Sequence, residues 1–309
     1  MLWLIILALF LGVTYCIYWV AFYNPESRHH QAVITRIGRH WKRGEALNRE
    51  WEQLPYEEVW LTSRDGLRLA GRYYHIRDGS CLHIQFHGYR GSGGRDFAAG
   101  NLVARELGYN TLVVDQRAHG KSQGETMTFG IKERWDCLCW AEYARNRFGD
   151  RTIIFLSGIS MGAATVLMAS DLLLPENVAG IIADCPYSSP TAIVRKVCGD
   201  IHIPGFFAVP LGSAAAWIWG RFNLAHTSAI KAVQRTKIPV LLIHGTEDRY
   251  IPADMSKEIQ EHCSGECFLE LFPGAAHAGS CLTDTGRYGR VLDAFVRHCI
   301  EQRKTEDSG

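Results

Sequence analysis

The chain has 309 residues, 47% of them hydrophobic, and a formal net charge of +1. That is enough apolar material for one large core, and near-neutrality gives no electrostatic basis for nucleic-acid binding. Ten cysteines are scattered along it; the Cys137/Cys139 and Cys263/Cys267 spacings match neither a strong metal site nor a small disulfide framework, so reduced structural thiols are expected.

The first 23 residues, MLWLIILALFLGVTYCIYWVAFY, carry no charged side chain. At ~1.5 Å per residue they would reach about 34 Å as a helix, against a bilayer core of ~30 Å. A cleaved signal peptide has a basic start, a shorter apolar stretch and small residues at the cleavage site. Here the start is uncharged and the residues before Asn24 are aromatic, so residues 1–23 read as an uncleaved transmembrane anchor rather than a signal or a buried core helix. Arg28, Arg36, Arg39, Lys42 and Arg43 follow closely, and the positive-inside tendency then puts the body in the cytoplasm.

Residues 24–56 are mixed polar and charged, with a helical candidate at Gln31–Arg39, and read as a juxtamembrane stalk or an N-terminal helix leading to the body. From Glu58 the segment VWLTSRDGLRLAGRYYH alternates apolar and polar residues about Asp65-Gly66, a hairpin signal. Short apolar runs then recur, each followed by a turn. CLHIQF (81–86), NTLVVD (110–115), TIIFLS (152–157), PVLLIHG (239–245) and CFLELF (267–272) each precede a helical stretch, and VAGIIAD (178–184) precedes a long insertion. Strands alternating with helices predict an α/β domain with a mainly parallel sheet covered on both faces. Sites in such sheets gather beyond the carboxyl ends of the strands.

The residues at those ends are the informative ones. LSGISMGAA turns from strand to helix with a G-x-S-x-G pattern in which Gly158 and Gly162 clear space around Ser160. A serine hydroxyl needs a base. Of 13 histidines, His29, His30 and His40 fall in the stalk and His298 in the final helix, while His87 and His244 end strands before glycines. His277, after the last strand in PGAAHAGS, is the candidate base. The base in turn needs an acid to fix its tautomer. HGTEDRYIP supplies Asp248, beside Glu247, and Asp184 at the end of VAGIIAD is the rival. An oxyanion would be held by the Met161 N–H, next after the serine, and by the Tyr89 N–H in the HGYRGSGG loop. The glycines of that loop do not fit a phosphate-binding spacing.

With the DG hairpin, His87-Gly88, DQRAHGKS (115–122), GISMG (158–162), DCPYS (184–188), HGTED (244–248) and His277, residues 57–302 resemble the α/β-hydrolase family, and more narrowly its membrane-anchored bacterial esterase-like members. The resemblance implies Ser160 as nucleophile, Asp248 as acid and His277 as base, with no metal and no cofactor, and it gives Arg117 and His119 a fold-supporting loop. Relatives with an aspartate or cysteine nucleophile are excluded by Ser160. Those with a large N-terminal propeller are excluded because only 56 residues precede the hairpin. It also implies a small helical cap inserted after the sixth strand, at about 186–237, leaving residues 303–309 as a polar tail. Phe206, Phe207, Trp217 and Trp219 in that insertion are candidate substrate-binding residues; gluing the cap to the core, or facing the membrane, are their other readings.

The expected function is a serine esterase acting on a small-molecule or lipid-like acyl substrate. A thioesterase or aminopeptidase-like enzyme, an acyltransferase and a non-catalytic scaffold on the same fold are the alternatives.

Overall fold

The computed structural model describes residues 1–25 and 41–306. Helices α1 (Leu2–Ala21) and α2 (Trp41–Glu52) precede a hairpin of β1 (Glu57–Thr62) and β2 (Arg68–Tyr74). Then β3 (Leu82–Phe86), α3 (Gly93–Glu106), β4 (Asn110–Val114), α4 (Glu133–Phe148), β5 (Ile154–Ile159), α5 (Met161–Ala169) and β6 (Val178–Asp184) alternate. Helices α6 (Pro190–Asp200), α7 (Gly205–Ile218) and α8 (Ala229–Val233) fill the interval to β7 (Val240–Gly245). The chain then continues through α9 (Asp254–His262), β8 (Cys267–Phe272), α10 (Ser280–Thr283) and α11 (Thr285–Glu306).

The strands form one eight-stranded sheet in the order β1-β2-β4-β3-β5-β6-β7-β8. β2 runs antiparallel to both neighbours, and every other pairing from β4 to β8 is parallel. The central strands are apolar without alternation because both of their faces are covered. Leu156, Ile181 and Leu242 face one core, shared with residues of α4, α5 and α8. Their chain neighbours Phe155, Ile182 and Leu241 face a second core, shared with residues of α3 and α11. The predicted hairpin turns at Asp65-Gly66, and Asp65 pairs with Arg117 at 2.8 Å. Arg117 also makes a two-pronged contact with Asp136 of α4, at 2.6 and 2.7 Å. This buried knot pins the DQRAHGKS loop to the hairpin.

The segment ahead of the hairpin forms a helix leading to the body rather than a free-standing stalk: α2 packs along α3, and Trp51 is buried with its ring 4.2 Å from that of Tyr74. Leu47 and Trp51, four apart on a mostly polar helix, both turn toward the body, and the burial of Trp51 contributes about 2–3 kcal/mol. The insertion after β6 is not all cap, since Ala229 and Val233 of α8 belong to the main core and the helix packs on α5. The final helix extends through Glu306, past the predicted start of a tail. The helical candidate at Gln31–Arg39, with His29, His30 and His40, lies outside the described residues.

Helix α1 is long and apolar enough to cross a membrane. Residues 1–10 are exposed, whereas from Leu11 onward one stripe at helical spacing (Leu11, Thr14, Ile17, Tyr18, Ala21) turns toward the body. It packs against α7, where the Trp219 Nε1–H donates to Thr14 Oγ1 at 3.1 Å. Tyr18 Oη lies 2.7 Å from Thr126 Oγ1, and the Asn24 amide donates to Ala118 O at 2.6 Å. The helix is thus docked on the protein along half of its length.

Candidate active site

Three parallel strands deliver the site. β5 ends at Ile159 and α5 starts at Met161, so Ser160 takes the whole turn on one residue, with φ 56° and ψ −114°. A non-glycine residue in that region is strained, at about 1–3 kcal/mol, and persists only where its surroundings force it. Here Gly158 and Gly162 permit the forcing. A Cβ at Gly158 would sit 2.3 Å from the carbonyl of Gly162, and one at Gly162 would sit 1.8 Å from Phe86 O. Both contacts are with backbone that cannot step aside.

Asp248 follows β7 and His277 follows β8. Their loops are clamped together where the Thr246 N–H donates to Phe272 O (3.0 Å) and the Glu247 N–H to Ala275 O (2.9 Å). His277 Nδ1 lies 2.7 Å from Asp248 Oδ2, and His277 Nε2 lies 3.0 Å from Ser160 Oγ. An ionised carboxylate only accepts, so the ring proton sits on Nδ1 and Nε2 is left to accept from the serine. Burial works to raise the Asp248 carboxyl, but hydrogen bonds from His244 and His277, with the Ile251 N–H, outweigh it and hold it below the usual carboxylate range. The Tyr250 and Ile251 N–H groups both donate to Oδ1, at 2.9 and 2.8 Å.

His244, which the sequence shows only as a strand end before a glycine, also supports the site. It is fully buried, with Nε2 3.4 Å from Asp248 Oδ2 and 2.8 Å from Ile251 O, and Nδ1 2.6 Å from Ser256 Oγ. It therefore fixes the loop carrying the acid. Asp184, the rival acid, is not the partner of His277 Nδ1; its Oδ1 lies 3.4 Å from Ser280 Oγ. Burial pushes its carboxyl up to about 6. A carboxyl raised above its unfolded value penalises the fold once it must ionise. The penalty is absent below pH ~4, grows between pH ~4 and ~6, and is complete above. Asp184→Asn is therefore expected to stabilise the protein at pH 8, by on the order of 3 kcal/mol from ~1.4 kcal/mol per pKa unit, and to be neutral at pH 4. Urea midpoints at the two pH values check this, and an equal change at both would refute it.

The loop after β3 supplies the other half of the site. The Gly88 N–H donates to Asp96 Oδ2 (2.8 Å), the Arg90 N–H to His119 Nε2 (3.1 Å) and the Gly91 N–H to Gly88 O (3.0 Å). His87 bridges the base of the loop, with Nδ1 2.8 Å from Gly88 O and Nε2 accepting the Gln116 N–H at 3.1 Å. Its burial pushes its pKa down, which keeps the ring neutral for that second role. Among the described residues, the Tyr89 and Met161 N–H groups have no protein acceptor. They are the two donors the sequence singled out.

A cavity of about 370 Å³ opens over Ser160 and His277. Tyr89, Ile159, Tyr250 and Leu282 line it, as do Glu45 and Asn48 of α2. Phe206, Phe207, Trp217 and Trp219 do not. The first three are 57–72% exposed on the outer side of α7, and Trp219 is turned against α1, its ring 5.0 Å from that of Tyr15. The apolar work of holding the cap falls instead to Ile193, Ala215, Phe222 and Leu224, packed with Met161 and Phe22. A larger cleft, about 520 Å³, lies at the amino ends of β5 and β6 among Arg151, Leu173 and Arg303, far from this chemistry.

Cys185, Asp248 and His277 bring potential ligand atoms within 4.8 Å of one another. Two of the three are already committed to each other, and burial pushes the Cys185 thiol well up, so it stays protonated and is a poor metal ligand.

The family described as alpha/beta hydrolase fold matches residues 84–197. An esterase of Pyrococcus furiosus, Pf2001, superposes with a TM-score of 0.65 at 22% identity, over 81% of this chain and 93% of that one. The chain has the α/β-hydrolase fold. The Bacillus subtilis protein YqkD is 26% identical over 192 residues, 62% of this chain and 63% of that protein. The lysophosphatidylserine lipase ABHD12 of Danio rerio is 22% identical over 231 residues, 72% of this chain and 52% of that protein. The chain thus spans less than two thirds of either relative.

Proposed function

We propose that the protein is a membrane-attached serine hydrolase that cleaves carboxylic esters of apolar acyl groups through an acyl-enzyme intermediate. The observation that carries this reading is the unbroken line from Ser160 Oγ through His277 to Asp248, at 3.0 and 2.7 Å, on a residue whose backbone is strained to present its hydroxyl. Relatives described as an esterase and a lipase lend it support.

In this scheme His277 Nε2 takes the hydroxyl proton as Ser160 Oγ attacks the acyl carbon. Asp248 steadies the imidazolium, and the carbonyl oxygen moves between the Tyr89 and Met161 N–H groups. The proton then passes from His277 to the departing alcohol. Water, deprotonated by the same imidazole, releases the acid and restores the serine. The walls contributed by Ile159, Tyr250 and Leu282 suit an apolar acyl chain. Helix α1 would hold the body at a bilayer, on its cytoplasmic side by the basic residues that follow it.

The test is covalent labelling of the full chain in detergent with a fluorophosphonate. Wild type is expected to label and His277→Ala not to; Asp248→Asn, which costs the imidazole its correct tautomer, is expected to label about 10⁴-fold more slowly. Labelling that survives His277→Ala would remove the proposed mechanism. Matched esters, thioesters and amides then separate an esterase from a thioesterase or an aminopeptidase-like enzyme.

A further inference from the structure

We infer that α1 is a working part of the active site as well as an attachment: its last turn holds the loop that presents the Tyr89 N–H, through the side chains of Tyr89 and Arg90. This inference rests on the esterase reading only for its kinetic consequence.

The last carbonyls of any helix lack intrahelical donors and must find partners elsewhere. In α1 those of Val20 and Ala21 find them in the loop after β3. Tyr89 Oη donates to Ala21 O at 3.0 Å, and Arg90 NH2 donates to Val20 O at 2.9 Å. The same guanidinium reaches Tyr23 O at 3.4 Å. A cation at the negative end of a helix dipole adds to the hydrogen bonds. An aromatic row reinforces the joint: Phe22, at the end of α1, is 5.4 Å from Phe129, which is 5.5 Å from the ring of Tyr89.

What this joint fixes is decided by the loop's other bonds. Gly88 is held by Asp96, and the Arg90 backbone by His119, so the ends of the turn belong to the body. The side chains at its tip are held by α1. Tyr89 carries both features at once: its hydroxyl is tied to the helix, and its N–H, without a protein acceptor, belongs to a residue that lines the cavity with Ser160. A shift of α1 against the body therefore turns the Tyr89 peptide, and a misplacement of about 1 Å at such a donor can cost 10²-fold in rate. Tyr89 and Arg90 are positioning residues in this role; the N–H of Tyr89 is retained in any side-chain variant.

The rest of the contact between α1 and the body supplies a control. Tyr18 bonds to Thr126 at 2.7 Å without touching the loop. We would compare Tyr89→Phe, Arg90→Gln, Arg90→Lys and Tyr18→Phe in the full chain, in nanodiscs. The readouts are amide hydrogen exchange across residues 88–91 and kcat and KM for a soluble ester. Tyr89→Phe and Arg90→Gln are expected to speed loop exchange and to lower kcat by about 10- to 100-fold with KM unchanged. Arg90→Lys, which keeps a donor for Val20 O, restores most of the rate, and Tyr18→Phe changes neither quantity. Unchanged exchange and kcat in both loop variants would overturn the inference, as would an equal loss in Tyr18→Phe. If wild type shows no Ser160-dependent turnover, the esterase reading falls and hydrogen exchange alone decides the coupling.

Discussion

Ser160→Ala is expected to reduce ester turnover by about 10⁶-fold, the scale on which removal of a triad nucleophile acts in serine hydrolases. Its thermal midpoint should stay near that of wild type. The serine is buried, its hydroxyl lies 3.0 Å from His277 Nε2, and alanine fills nearly the same volume. The strained φ of 56° belongs to the turn and not to the hydroxyl, so the replacement neither relieves nor adds to it. The combination is what makes the experiment informative. A fall in turnover matched by a fall in stability would indicate only a damaged turn, and wild-type turnover in a folded variant would end the serine-hydrolase proposal.

Gly162→Ala should damage the fold itself. The added methyl would lie 1.8 Å from Phe86 O, 2.5 Å from Phe86 C and 2.7 Å from His87 O. Phe86 is the last residue of β3, paired with Val114 of β4 on one side and Gly158 of β5 on the other. Nothing there can yield without opening the middle of the sheet. Overpacking in rigid cores costs about 1–3 kcal/mol and more where backbone is struck, against a total stability of about 5–15 kcal/mol. The expected outcome is a urea midpoint lowered by at least a third, or no soluble protein. Gly100→Ala is the matched control, since its methyl would approach Phe97 no closer than 4.0 Å and alanine favours a helix by about 1 kcal/mol. A Gly162→Ala midpoint equal to that of Gly100→Ala would show the close approach to be tolerated.

The core of this fold was legible because burial on both faces writes each strand as an unbroken apolar run, and turns separate the runs. The line of Ser160, His277 and Asp248 was legible for a related reason: with strands placed, only their carboxyl ends need searching, and these three residues stand there. Three features were not legible. Which way an exposed aromatic faces has no local signature, so Phe206, Phe207 and Trp217 were assigned to a pocket from which α7 turns them away. The docking of α2 depends on Trp51 meeting Tyr74, a contact between segments that share no periodicity. The support given to Asp248 by His244 arises because a loop folds back over its own strand end. Motifs locate chemistry. They do not locate what steadies it.

The strand order also has a consequence in time. Ser160 and His277 are separated by 117 residues, and the base arrives on the last loop before the closing helices. At translation rates of about 5–20 residues per second, the nucleophile is made roughly 6–23 s before its base. β7 and β8 must also add to the sheet before His277 can reach over it. On the proposed mechanism a nascent chain thus carries an inert hydroxyl, and its reactivity toward acyl groups would begin only when the far edge of the sheet is complete.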